Sequence, residues 1–183
     1  MRYFTTAALL LTLVAGITGA WITGWYPVAL VRSSPALGEK SHIMWARAVE
    51  KVARATITYY HAIGAIPGTP SEQKTIATET RAQALTILIE QTLVADAVRR
   101  HATNEDIAAR IDTRISSRAS QQELYTAISL VYGLDASGFY TLIARPEAEK
   151  ELLKETLNLD DAGFSAWLAA EKKAAMIILF IAR

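Results

Sequence analysis

Residues 84–98, "ALTILIEQTLVADAV", constrain this chain more than any other stretch. Wound as a helix, they place Leu85, Leu88, Ile89 and Leu93 on one face and Ile87, Val94 and Val98 on the opposite one. A helix apolar on both faces is stable in water only when neighbours surround it. The stretch therefore predicts a central helix with others wrapped round it. Its start is marked by Thr69 and Glu72, a T-x-x-E capping box, with Pro70 at the favoured first helical position. The expected span is 70 to about 101.

Candidates for the wrapping helices follow from periodicity. Trp45, Val49, Val52, Thr56, Tyr59 and Ile63 recur at spacings of four and three, one face of a long amphipathic helix that "GAIPGTP" stops. Thr103, followed by Asn104, Glu105 and Asp106, restarts the chain after the central helix, with acids at the positive end of a new helix dipole. Ile107, Ile111 and Ile115 form that helix's narrow apolar stripe. Ser120 with Glu123 opens a further helix bearing Leu124, Ile128 and Val131, which Gly133 ends. Asp135 caps the next, which carries Phe139, Leu142 and Ile143 and is expected to kink or split at Pro146. Near the end, "NLDDAGFSAWLAAEKKAAM" predicts a short helix burying Phe164, Trp167 and Leu168.

Two segments read as strands. "PVALV" after Tyr26 is short, apolar and β-branched, and "MIILFIAR" closes the chain with six apolar residues in a row. A lone strand is not viable, so Val28–Val31 is expected to pair with Ile177–Ile181. That pairing would close a mainly helical, all-α body with a small two-stranded β clasp between its two ends.

From Tyr3 to Val31 there is no charged residue. A bilayer core needs roughly 20 apolar residues in a helix, and Phe4 to about Tyr26 supplies that length. Trp21, Trp25 and Tyr26 lie at its far end, where aromatic side chains favour the membrane–water interface. Residues 1–26 are thus expected to form a transmembrane anchor and 27–183 the body. A cleaved signal peptide, with Arg2 as its charged start and "TGA" at 18–20 as its cleavage site, is the competing reading. Flanking charges leave the orientation open: Arg2 stands on one side, and Arg32, Lys40 and Arg47 on the other.

The nineteen Lys and Arg include Arg2, so eighteen bases face eighteen acids from Arg32 onward. A neutral body argues against nucleic acid, or an anionic membrane face, as the main partner. Cysteine is absent, which removes disulfides, thiolate chemistry and cysteine zinc sites. His42, His61 and His101 form no helical metal-ligand pair such as H-E-x-x-H. His101 follows Arg99 and Arg100 at a helix end, where the dipole favours a cation, and His61 reads as a packed or half-exposed helix residue. The paired acids Glu105-Asp106 and Asp160-Asp161 stand at helix starts, where capping accounts for them. Ser116, Ser117 and Ser120 lack a neighbouring base, and the glycines form no phosphate loop. The run Glu147–Lys154 alternates charge like a solvated helix face. No catalytic residue, cofactor, metal or small-molecule substrate is expected. The aromatics Trp45, Tyr59, Tyr60, Tyr132, Phe139 and Tyr140 are candidates for lining a groove that binds apolar peptide, with core packing as the competing role.

Several stretches in order carry a family resemblance. "YPVALV" after an apolar segment resembles the start of the SurA N-terminal chaperone domain. "ALTILIEQTLVADAVRRHATNEDIAARI" is similar to that family's central helix, polar break and short helix. "ELYTAISLVYGLDASGFYTLIARPEAEKELL" and "FSAWLAAEKKAAMIILFI" resemble its later helices and closing strand. Together they span most of residues 26–183. Two departures stand out. Arg32-Ser33-Ser34 replaces the family's usual Asn-Gly turn, and no β-rich segment could build the parvulin-type prolyl isomerase domain that many relatives carry. The resemblance implies a non-catalytic, membrane-tethered module on the extracytoplasmic side that binds unfolded or nascent polypeptide. The alternative is a structural or accessory subunit of a membrane complex.

Overall fold

The computed structural model describes residues 23–65, 70–116 and 121–180. The anchor expected over residues 1–26 lies, except for its last four residues, outside the described residues. So do Thr69 and Ser120, the expected caps of two helices, and Ile181 of the expected last strand. Among the described residues no single helix is long and apolar enough to cross a membrane.

The body is mostly helical, with one small antiparallel sheet. In chain order the elements are β1 (Pro27–Arg32), a 3-10 turn (Pro35–Leu37), β2 (Ser41–Trp45), α1 (Ala46–Ala62) and α2 (Pro70–Val98). Then come α3 (Asn104–Ser116), α4 (Gln121–Tyr132), α5 (Ala136–Thr156), α6 (Asp161–Ala174) and β3 (Met176–Leu179).

The two ends of the body pair as expected, with Val31 opposite Ile177 and Leu30 opposite Ile178. The clasp, however, has three strands in the order β2-β1-β3, not two. The additional strand, "SHIMW", pairs antiparallel with β1 from Arg32–Ser41 to Pro27–Trp45, with an irregularity between Pro27 and Ala29. It escapes a periodicity reading because Trp45 also fits the helical spacing of Val49 and Val52. Trp45 instead has extended backbone and stands as the residue before α1. Where an Asn-Gly turn would stand, the chain makes a longer link. Ser33 N–H donates to Lys40 C=O, and Gly38 (φ 91°) supplies the left-handed residue that closes the 3-10 turn.

One sheet face is buried. Ala29, Val31 and Met44 point into the main core, where Ile89, Leu93, Val94, Ala97 and Val98 of α2 meet Ile107, Ile111, Leu153 and Phe164. Leu93 has no exposed surface, and Leu88 is half-buried against the same core. The helix α2 contacts α1, α5, α6 and β2, and so occupies the centre that its two-sided apolar pattern demands. It stops at Val98, three residues earlier than expected, in a turn where His101 N–H returns to Val98 C=O. The tail is latched as well as packed. Ser34 Oγ donates to Glu171 Oε2 at 2.7 Å, and Lys172 Nζ meets Glu90 at 2.7 Å.

Three caps form as the sequence predicts. Asp106 accepts from both the N–H and the hydroxyl of Thr103, whose oxygen in turn accepts from Asp106 N–H. Asp135 accepts from Gly138 N–H and Asp160 from Gly163 N–H, both at 2.7 Å. Gly133 (φ 63°) follows α4 as its left-handed C-terminal residue.

Pro146 neither kinks nor splits its helix in the simple sense expected. The helix α5 passes through one π turn, Tyr140–Ala144, in which Arg145 N–H reaches back to Tyr140 C=O. Proline has no N–H for the carbonyl four residues before it, so Leu142 C=O loses its helical donor. Gln91 Nε2 of α2 turns toward that oxygen at 3.4 Å. The wider turn keeps the helix running while its register changes. The charged run 147–154 is not wholly solvated either: Glu149 is buried and receives Arg145 Nε at 2.8 Å. Trp167 and Leu168, expected to be buried with Phe164, are half-buried.

Candidate functional site

The π turn and the end of α1 together shape a groove of about 270 Å³. From α1 come Val52, Ala55, Thr56, Tyr59 and Tyr60; from α2 come Ile87 and Gln91. Tyr132 closes one side, and Leu142, Ile143, Pro146 and Glu147 of α5 the other. Tyr59 and Tyr132 stack nearly parallel, with ring centroids 5.4 Å apart and planes inclined by 10°. Tyr60 tilts against Tyr59 at 5.8 Å. Tyr59, Tyr60 and Tyr132 are all half-buried, so each ring packs on the body and still shows surface to water.

The six candidate aromatics therefore divide. Tyr59, Tyr60 and Tyr132 meet in the groove. Phe139 lies beneath it, packed on the small core of Ala55, Ile128 and Leu134. Tyr140 is exposed and does not line the groove. Trp45 sits at the other end of α1, edge to face with Trp25 at 6.0 Å. Sequence reasoning missed Gln91 as a groove residue and did not connect Leu142 and Ile143 with the tyrosines. Pro146 was the available signal, because the residue four before a helical proline needs a donor from elsewhere.

The groove's chemistry is that of contact. Thr56 spends its hydroxyl on Val52 C=O, and Gln91 is turned toward Leu142. Among the described residues, no group of three or more His, Asp and Glu is placed to hold a metal ion. His61 and His101 are exposed, at the last turn of α1 and in the turn after α2. The third histidine has a defined structural position that its sequence context did not reveal. His42 Nε2 lies 2.9 Å from Asp96 Oδ2, and Arg99 donates to Asp96 Oδ1 at 2.9 Å. Asp96 is wholly buried, so these contacts tie β2 to the end of α2.

Perturbed titrating groups lie away from the groove. Thr103 holds the Asp106 carboxyl below its usual range through its backbone N–H and its hydroxyl. Lys154 is pushed up chiefly by its hydrogen bond to Asp161, whose carboxyl is lowered by the same bond. Arg110, raised chiefly by its hydrogen bonds to Glu155, joins α3 to α5 in a two-pronged pair. These are surface ties between helices, and each is explained by its cap or ion pair.

A second, larger cleft of about 830 Å³ opens where α1 begins. Arg47, Lys51 and Arg54 line it with Glu50 and Asp135, and Tyr26 and the groove residue Tyr132 line it as well. Asp135 is engaged as a helix cap and Glu50 pairs with Arg81.

No protein-family model matches the chain, and neither a curated protein nor a solved structure is significantly similar to it.

Proposed function

We propose that this chain is a non-catalytic holder of unfolded or nascent polypeptide, related to the SurA N-terminal domain and tethered to a membrane by its N-terminal segment, with the body on the extracytoplasmic side. One observation carries the reading: the stacked Tyr59–Tyr132 pair and Tyr60 form an aromatic wall to a groove whose lining is mainly apolar. Tyrosine supplies broad contact at low conformational cost, and its hydroxyl tolerates water at the groove rim. Such a surface binds by area rather than by a fixed pattern of donors and acceptors.

Magnitude sets the character of the binding. One aromatic client side chain burying about 200 Å² gains about 5 kcal/mol gross at about 25 cal/mol per Å². Association costs offset much of this, so a single anchor leaves a millimolar or weaker interaction. Weak, sequence-tolerant contact suits transient protection of apolar segments from aggregation. A membrane tether raises the effective concentration of the holder where such segments emerge.

The test is suppression of aggregation for several unrelated unfolded proteins, compared between the native chain and Tyr59→Ser/Tyr132→Ser. The native chain should delay aggregation of all of them, and the double variant should lose most of the effect. Stable recovery with one partner in fixed ratio, without protection of unrelated clients, would instead establish an accessory subunit. In a proline-peptide isomerisation assay no rate enhancement is expected; a measurable one would refute the non-catalytic assignment.

A further inference from the structure

The outer face of the three-stranded sheet is apolar, and nothing among the described residues covers it. Ile43, Leu30 and Ile178 stand side by side across β2, β1 and β3. Ile43 is 51% exposed and Ile178 43% exposed, values that in a sheet core would be near zero. Trp45 extends this face along β2, and Trp25, 53% exposed, leans on Trp45. An exposed apolar patch of this extent calls for a partner.

Chain position and charge identify that partner. Trp25 lies three residues beyond Ile22, and the whole stretch from Tyr3 to Val31 is uncharged. At about 1.5 Å per residue, Phe4 to Ile22 as a helix nearly matches a ~30 Å hydrocarbon core. The sheet begins at Pro27, so a tethered body can place this face only a few residues from the bilayer. Beside the tryptophans three cations share a cleft with two acids that are already engaged, Glu50 by Arg81 and Asp135 by Gly138 N–H. Arg47, Lys51 and Arg54 project at helical spacing from the start of α1, and none of them has an ion-pair partner among the described residues. The Arg47 guanidinium lies 5.5 Å over the Trp25 ring. Tryptophan with a neighbouring cation suits a headgroup layer, where the ring meets the apolar boundary and the cation meets phosphate. Overall neutrality hides this arrangement, because composition counts charges without placing them.

We propose that the outer sheet face, with Trp25, Trp45 and the cations Arg47, Lys51 and Arg54 at its α1 end, seats on the anionic headgroup layer of the membrane from which the chain emerges. The proposal rests on the tethered reading of the N-terminal segment. It fixes which side of the body faces lipid.

The test uses the full chain in phosphatidylcholine vesicles with and without phosphatidylglycerol, and brominated phosphatidylcholine as the quencher. Two single-tryptophan chains are compared. In one, Trp21, Trp25 and Trp167 are changed to Phe so that Trp45 reports; in the other, Trp167 on the helical side is kept instead. Far-UV circular dichroism verifies that both keep the native fold. With phosphatidylglycerol present, Trp45 should be quenched strongly and Trp167 little. Changing Arg47, Lys51 and Arg54 together to Gln should lower the ratio of docked to undocked bodies by about 100-fold, abolishing the Trp45 signal. Three results overturn the proposal in distinguishable ways. If the chain floats with vesicles while Trp45 is quenched no more than Trp167, the tether stands and the docking face is wrong. Quenching indifferent to phosphatidylglycerol and to the three Gln substitutions removes the role of the cations. If the chain fails to float with either vesicle, the tether itself falls, and this face is covered in some other way.

Discussion

Removing both partners of Asp96 should destabilise the protein more than removing Asp96 itself. The carboxylate has 0% side-chain exposure, whereas His42 and Arg99 are 26% and 44% exposed. In Asp96→Ala the two freed groups can turn to water, and the buried charge is gone. The expected cost is that of the lost charged hydrogen bonds and a small cavity, about 1.5–3 kcal/mol. In His42→Ala/Arg99→Ala the charge stays buried with neither partner, the situation in which breaking a buried pair costs about 3–5 kcal/mol. Each single partner variant leaves one contact and should cost about 1–3 kcal/mol. The triple variant, lacking Asp96 as well, should then recover stability relative to the double one.

Urea denaturation followed by far-UV circular dichroism measures all five variants against the native chain. At about 2–4 °C per kcal/mol for a body of this size, the double variant should also melt roughly 10 °C lower. The reasoning is refuted if Asp96→Ala costs more than the double partner variant, or if the triple variant is the least stable of the set. Either result would mean that the contacts act as simple additive bonds and that burial of the charge is not the controlling term.

Two further outcomes are expected. Leu93→Ala, at the centre of the core and fully buried, should cost about 2–5 kcal/mol, while Leu130→Ala at a 73% exposed position stays within about 0.5 kcal/mol; comparable losses at both sites in urea denaturation would remove α2 from the centre. Thr103 depresses the Asp106 carboxyl, so its stabilisation is present above the unfolded-state value and lost as pH falls through the folded one. The gap in denaturation midpoint between the native chain and Asp106→Asn should therefore close in acid, and a gap independent of pH would show that the charge does not act there.

What the sequence revealed and concealed has physical grounds. The central helix, three helix caps and the joining of the body's two ends were readable because each depends on local pattern: two apolar faces, an acid at the N-cap or third helical position, an apolar run. The strand Ser41–Trp45 was not, since its few residues fit a helical spacing as well as an alternating one. The His42–Asp96–Arg99 contacts were hidden for a different reason. Asp96 and Arg99 are three positions apart, but His42 is 54 positions from Asp96, and an acid within an apolar helix carries no mark of so distant a partner. At the groove, the tyrosines stood out as amphipathic rings, yet periodicity could not separate Tyr59 from Trp45, which lies on the same stripe. The strand that ends at Trp45 turns that ring to the sheet side, while Tyr59 meets a helix arriving from much later in the chain.

Holding and docking should be separable, because α1 places them at opposite ends. From Trp45 to Tyr59 the helix advances about 21 Å at 1.5 Å per residue. The Debye length at physiological salt is about 8 Å. Arg47 and Lys51, about 18 and 12 Å along the axis from Tyr59, are therefore largely screened from the tyrosines, whereas Arg54, about 7.5 Å away, is not. Arg47 and Lys51 line the neighbouring cleft and not the groove, although Ala55 and Tyr132 line both. The variant Arg47→Gln/Lys51→Gln should suppress aggregation in detergent solution as well as the native chain does, while losing most of its lipid contact at Trp45. Tyr59→Ser/Tyr132→Ser should do the reverse. Both are read with the client-aggregation and brominated-lipid measurements side by side. If the Gln variant loses client protection in solution, the two surfaces act through a shared state of α1, and the sheet face belongs to the client-binding surface rather than to the membrane.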